Sequence, residues 1–330
     1  MATATSGMAL AGYVSMTLLA VQFGLQPILY KEFAAHAKYP SILVIACEVC
    51  KFAIASVIIV SSGNAAKIWK SWHWWESVQA SGLPACTYAV QNVLVQISYQ
   101  NLPPIIFNLI NQTKLLWTAL FLFVLMGKRF SLVQCVAMLM LLSAAVLLSV
   151  AKDPSSSNGD ADVELDFQLG LLPVIVASIL SGVGATITQR SMQVHRRDVS
   201  LVTMELALYG SIFLVLPVLL PSPSRLDSSS ISAVPISQWL DGWDSFTLIP
   251  IVTNAMGGLL VGAVTKHVGG VLKSFALICG IAFTAFVESY LYGSVLPTDV
   301  YIAAVLVAIS MSLYSSFPYV EPAASKPKRE

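Results

Sequence analysis

Lys114 sits inside 105–126, a stretch long enough to cross a bilayer as one helix. A lysine near the middle of such a helix costs about 3 kcal/mol of insertion free energy. Asn108, Asn111 and Gln112 add polar groups to the same stretch. At helical spacing Asn108, Asn111 and Lys114 share one face. That face needs water, protein or an anion against it. Two uses fit Lys114: contact with an anionic ligand, or a buried pair with Glu48 or Glu205. A second lysine, Lys273, opens another long apolar stretch near the other end of the chain. Two cations in comparable helices point to a cavity for a doubly charged anion.

Further polar groups fall inside apolar stretches. Glu48 and Lys51 are three apart and can pair on one helix face. Such a pair either neutralises a crossing helix or serves in coupling or gating. Tyr88, Gln91 and Asn92 again share a face. Glu205 stands alone among apolar neighbours, and Lys266 precedes the stretch that holds Lys273. Scattered Ser and Thr residues read as helix–helix hydrogen bonds. Gly257 and Gly258 read as close helix packing, whereas Gly269 and Gly270 could also let a ligand approach the backbone. Cys47 and Cys50 have the spacing of a metal or redox pair. The simpler reading is two small apolar side chains on a membrane helix, so no metal and no cofactor is expected.

These groups need helices to hold them. Of 330 residues 56% are apolar and only 11% charged, with a mean hydropathy of +0.76; a globular chain carries about 25% charge. Apolar windows fall near 8–30, 41–62, 83–100, 105–126, 131–151, 169–189, 200–221, 246–265, 271–292 and 297–317. The expected fold is an all-α integral membrane protein of ten transmembrane helices in the lipid bilayer, with no room for a soluble domain. Residues 153–168 form an acidic loop that divides the windows five and five. The expected organisation is a first repeat over 1–152, a second, inverted repeat over 169–318, and a basic tail over 319–330. With both termini on one side, that side holds twelve Lys and Arg residues against four on the other, with Lys51 and Lys114 inside. The positive-inside rule makes the basic side, and both termini, cytosolic. The N-terminus lacks the charged region and cleavage site of a signal peptide.

Four passages resemble the nucleotide-sugar transporters of the drug/metabolite transporter superfamily. Cys47-Glu48-Val49-Cys50-Lys51 resembles the family's T-E-V-I-K. Tyr88-Ala89-Val90-Gln91-Asn92 matches Y-A-V-Q-N. Phe107 to Lys114, followed by Thr118-Ala119-Leu120, resembles Y-Q-V-T-Y-Q-L-K…T-A-L. Gly257-Gly258-Leu259, Lys266 and Leu272-Lys273-Ser274-Phe275 resemble G-G-L…K…M-K-G-F. The resemblance covers most of the chain and lies nearest the branch for CMP-sialic acid, UDP-galactose and UDP-N-acetylglucosamine. It implies ten helices as an inverted five-plus-five repeat. It also implies exchange of a cytosolic nucleotide sugar for a lumenal nucleoside monophosphate. Lys114 and Lys273 would then hold phosphate, Asn92 and Asn108 the ribose or sugar, with Tyr88, Gln91, Asn111 and Gln112 beside them. Glu48, Lys51, Glu205 and Lys266 would serve gating or coupling. Phe107, Asn108, Asn111, Val93, Thr203 and Ala207 depart from the sialic acid branch, and the passage around Phe107 to Lys114 resembles a plant branch for UDP-N-acetylhexosamines.

Charge agrees with this. A diphosphate diester and a nucleoside monophosphate each carry about two negative charges, so one pair of lysines can hold either exchange partner. A phosphate-ester exchanger or an organic-solute exporter would share the helices and the lysines. A membrane-embedded transferase is the rival enzyme; its one signal, Asp160-Ala161-Asp162, lies in a short Ser/Gly/Asp loop with no domain around it, and no buried carboxylate cluster offers a general base. Nothing points to a nucleic-acid partner, and a homodimer is left open. The last five residues contain Lys326 and Lys328 at the third and fifth positions from the end. That spacing resembles the K-x-K-x-x signal read by coat proteins, which favours the endoplasmic reticulum over the Golgi.

Overall fold

Four helices begin at a proline in their first turn, Pro40, Pro84, Pro104 and Pro173, where the missing N–H costs no hydrogen bond. The computed structural model describes residues 2–63, 65–152, 167–219, 238–293 and 295–319. Thirteen α-helices follow one another: α1 (Ala2–Phe33), α2 (Pro40–Ser61), α3 (Ala65–Ser71), α4 (Trp74–Ser77), α5 (Leu83–Asn101), α6 (Pro104–Gln112), α7 (Lys114–Met126), α8 (Leu132–Lys152), α9 (Leu172–Gln193), α10 (Val199–Leu219), α11 (Leu248–His267), α12 (Gly270–Tyr292) and α13 (Thr298–Ser316). Single π turns, Val78–Gly82 and Phe167–Leu171, run α4 into α5 and lead into α9. There is no strand among the described residues.

Local chemistry sets several boundaries. Ser131 and Gln134 form a reciprocal capping box at the start of α8, each side chain accepting from the other's backbone N–H at 3.1 Å. Asp244 does the same with Thr247 ahead of α11. The Thr247 hydroxyl, and then its backbone N–H, hold the Asp244 carboxyl below the usual carboxylate range. α7 ends at Gly127, whose φ of +64° closes the helix with Lys128 N–H donating to Leu122 O.

Every apolar window of the sequence falls on a helix. Among the described residues eight stretches are long and apolar enough to cross a membrane: α1, α2, joined α6–α7, α8, α9, α11, α12 and α13. The chain is a multi-pass membrane protein. α5 carries Gln91, Asn92, Gln96, Gln100 and Asn101 and is not among the eight; α10 counts as a shorter apolar helix over Val199–Val215. Two boundaries differ from expectation. Residues 167 and 168, read as loop, are helical. The stretch around Lys114 is not one helix: Thr113 interrupts it, and α7 starts at Lys114 itself.

The packing follows a pattern. α1 lies against α11 and α12, while α9 lies against α5 and α7; α2 packs on α10, and α8 on α13; α11 touches α2, and α10 touches α5. The main apolar cluster gathers Leu19, Leu115, Leu141, Phe275 and Ala303 from α1, α7, α8, α12 and α13. α1 and α12 approach so closely that a Cβ on Gly280 would lie 2.8 Å from Ala20 O. Residues 153–166 and the tail from 320, including Lys326 and Lys328, lie outside the described residues.

Candidate functional site

α2, α5, α9, α10 and α11 surround a cavity of about 670 Å³, with Lys273 of α12 reaching its wall. That volume lies in the range of small-molecule sites. Of the expected site residues, Tyr88, Asn92 and Lys273 line it, together with Glu48 and Lys51. The residues that set this chain apart from the sialic acid branch divide: Val93, Thr203 and Ala207 line the cavity, while Phe107 is buried edge-on against Tyr99. Gln96, Thr188 and Thr265 also face the cavity. Thr188 of α9 and Tyr88 of α5 meet at the cavity wall, a proximity that no spacing along the sequence reveals.

Lys114 and Gln112 line a smaller pocket of about 70 Å³, with Ser274 of α12 opposite. Lys114 and Lys273 are near enough to repel each other. Each sits in the first turn of a helix, Lys114 at the start of α7 and Lys273 at the start of α12. The positive end of the α12 dipole therefore adds to the Lys273 ammonium, whereas at Lys114 the C-terminal end of α6 abuts the start of α7 and offsets it. Neither lysine has a carboxylate within ion-pair distance among the described residues. The alternative of a pair between Lys114 and Glu48 or Glu205 does not form, because both acids are engaged. Glu48 Oε1 accepts from Lys51 Nζ at 2.6 Å. Glu205 is bound in two-pronged fashion by Arg197, at 2.8 and 2.9 Å.

The remaining expected residues lie around this centre. Glu205 does not line the cavity; it is 4% exposed and takes further bonds from Trp72 Nε1 at 2.9 Å and Ser81 Oγ at 2.7 Å. The bonds from Trp72 and Ser81 tie α10 to the segment before α5, and the two from Arg197 tie it to the turn that precedes α10. Asn108 and Asn111 are partly buried on α6 and line neither pocket. Gln91 buries its Oε1 without a hydrogen-bond partner. The Lys266 carbonyl accepts from Gln193 Nε2 at 3.1 Å. Gln193 also accepts from Lys128 Nζ at 2.8 Å and from Gln189 Nε2 at 2.9 Å. Burial pushes the Lys128 ammonium below the ordinary lysine value. Gln189 Oε1 in turn accepts from Gly270 N–H at 2.7 Å and so holds the start of α12, one turn from Lys273. Gly269, with φ +95°, makes this turn possible. All five cysteines are free, and Cys47 is buried among α1, α2 and α11 side chains, as a small apolar residue would be.

The arrangement is a largely apolar cavity with a few polar side chains, an unpaired Lys273 at its wall and an unpaired Lys114 in the small pocket nearby, in a membrane protein. Comparison with known proteins agrees. Residues 6–315 match the model of the nucleotide-sugar transporter family. The chain is 34% identical over 309 residues to the UDP-N-acetylglucosamine transporter ROCK1 of Arabidopsis thaliana, covering 94% of this chain and 93% of that one. It is 26% identical over 248 residues to a UDP-N-acetylglucosamine transporter of Rattus norvegicus, covering 74% and 73%. A protein of known crystal structure superimposes with a TM-score of 0.66 at 16% identity, over 93% of this chain and 96% of its own, and so shares the fold. This chain belongs to the nucleotide-sugar transporter family: it is a transporter, not an enzyme, and its substrate is a nucleotide sugar.

Proposed function

We propose that the chain carries a UDP-N-acetylhexosamine from the cytosol into the lumen of the endoplasmic reticulum or Golgi, in exchange for the nucleoside monophosphate. The observation that carries this reading is the pair Lys114 and Lys273, unpaired and set at two helix starts. An empty dry site would leave two buried cations uncompensated, which is costly. A diphosphate or a monophosphate removes that cost, so the carrier crosses loaded in either direction and no coupling ion is needed. Tyr88, Asn92 and Thr188 offer hydrogen bonds to ribose and sugar from the cavity walls, and Asn108, Asn111, Gln112 and Gln91 support them. The relatives named above are UDP-N-acetylglucosamine transporters, and Val93, Thr203 and Ala207 shape the cavity away from CMP-sialic acid.

The transport cycle uses ten helices, with α5 (entered through α4) and α10 as two further spans. The packing supports an inverted five-plus-five repeat. Advancing each span by five turns the α1 contacts with α12 and α11 into the α9 contacts with α7 and α5. The same operation sends the α2–α10 and α8–α13 pairs onto themselves. Rocking of one repeat, 1–152, against the other, 169–318, then gives alternating access. Glu48 with Lys51, Glu205 and Lys266 act in gating: the first pair lies in the cavity wall, and the other two lie where α10 begins and α11 ends. The loop charges put both termini in the cytosol. There the basic tail 319–330 presents Lys326 and Lys328 to coat proteins. A homodimer is compatible with the lipid-facing surface.

The test is uptake of labelled UDP-N-acetylglucosamine into proteoliposomes preloaded with UMP. Uptake should require the internal UMP, and external UMP should compete far better than CMP. Equal competition by CMP would overturn the choice of base; uptake into empty vesicles at the same rate would overturn exchange.

A further inference from the structure

Four of the chain's seven tryptophans, Trp69, Trp72, Trp74 and Trp75, fall within seven positions between α2 and α5. Three of them are largely uncovered: Trp69 is 80% exposed, Trp74 61% and Trp75 68%. α3, which carries Trp69, has no buried residue at all. Lys67 and Lys70 are exposed on the same helix, three apart. Neither has a carboxylate within ion-pair distance among the described residues. Glu76, the only acid from Ser62 to Ser77, lies beyond the tryptophans on α4.

Trp72 is turned inward. Its ring stacks on Trp69 and meets Trp74 edge-on, both at 6.3 Å, and Trp74 meets Tyr209 of α10 at 6.2 Å. Its Nε1 donates to Glu205. The uncovered helix is thus fastened through one indole to the buried Glu205–Arg197 pair.

We propose that α3 and the tryptophans beside it are a docking surface for anionic phospholipid headgroups of the cytosolic leaflet. Indole rings, apolar with one N–H, settle at the headgroup level of a bilayer. Unpaired lysines at that level are attracted to acidic lipid, and the attraction adds with each one. The surface offers broad rings and point charges rather than a pocket, which suits a fluid layer of headgroups. It follows the end of membrane helix α2, so a bilayer surface is already beside it. Through Trp72, lipid held on α3 bears on the Glu205 contacts that join α10 to the start of α5. The cytosolic placement of this segment rests on the topology proposed above.

The test uses the full chain, purified and reconstituted in vesicles of phosphatidylcholine alone or with phosphatidylinositol added to both leaflets. Phosphatidylinositol should raise the exchange rate several-fold. In detergent, a short-chain phosphatidylinositol should raise the melting temperature where short-chain phosphatidylcholine does not. The variant Lys67→Glu/Lys70→Glu should need about tenfold more acidic lipid for the same response, and should keep its exchange rate in neutral vesicles. Lys67→Gln/Lys70→Gln serves if the reversed-charge protein is poorly folded. The proposal is overturned if either variant responds to acidic lipid as the parent does, or if phosphatidylcholine acts equally. An equal response to soluble inositol phosphate would overturn it too, since the surface would then bind free phosphate. Exchange in neutral vesicles reports separately on transport itself.

Discussion

At the scale of single residues, the two lysines set the strongest expectations. An unpaired buried cation is a cost that an apolar side chain of similar size does not carry. Lys114→Met and Lys273→Met should therefore stabilise the empty protein, by up to about 2 kcal/mol each. Both should abolish exchange. They should also abolish the rise in melting temperature that UMP gives the parent protein. An intact UMP response in either variant would remove that lysine from the phosphate site. Arginine should not rescue exchange, because its planar fork differs in reach and geometry from a point charge. Lys114 and Lys273 were legible in the sequence because a charge inside an apolar window has few cheap explanations. Thr188 and Thr265 were not, since a threonine on a membrane helix most often bonds its own backbone. Thr188 does so, to Gly184 O at 2.9 Å.

At the scale of elements, two contacts should be sensitive. Gly280 lets α12 settle on α1, with Ala20 O and Gly24 N within 3.3 Å of where its Cβ would be. The backbone there cannot yield as a flexible side chain can. Gly280→Leu should lower the melting temperature sharply, by about 2 kcal/mol or more of stability, whereas the conserved-volume change Leu277→Met on the same helix should cost under about 1.5 kcal/mol. Glu205 joins α10 to Trp72, Ser81 and Arg197. Glu205→Leu leaves the Arg197 guanidinium without its partner and should cost about 3 kcal/mol; adding Arg197→Leu should recover much of that loss, as thermal melts of the single and double variants would show. A double variant no more stable than Glu205→Leu would mean that Trp72 and Ser81, not the ion pair, hold this junction.

At the scale of the whole molecule, the proposed orientation and address rest on the distribution of charge. If the tail is a retrieval signal, Lys326→Ser with Lys328→Ser should shift the protein from the endoplasmic reticulum toward the Golgi without altering transport in vesicles. An unchanged distribution would reduce the tail to a basic flank. The sequence by itself determined the helices, because apolar windows, prolines and capping residues act within a few positions of one another. It also determined the asymmetry of charge and the presence of two lysines where lysine is expensive. Only the tertiary structure decided which faces meet the cavity. In a membrane protein the lipid side and the packed side of a helix are both apolar, so periodicity cannot tell one from the other. Hence the sequence could put Asn92 and Asn108 in comparable roles, while the structure turns Asn92 to the cavity and leaves Asn108 outside it. It could leave Glu205 as a partner for Lys114, while a loop eight residues upstream supplies Arg197 instead. At the break before Lys114, Ile110 O accepts from the Thr113 N–H, from the Thr113 hydroxyl and from Ser178 Oγ of α9, so a local residue and a packed neighbour act there together.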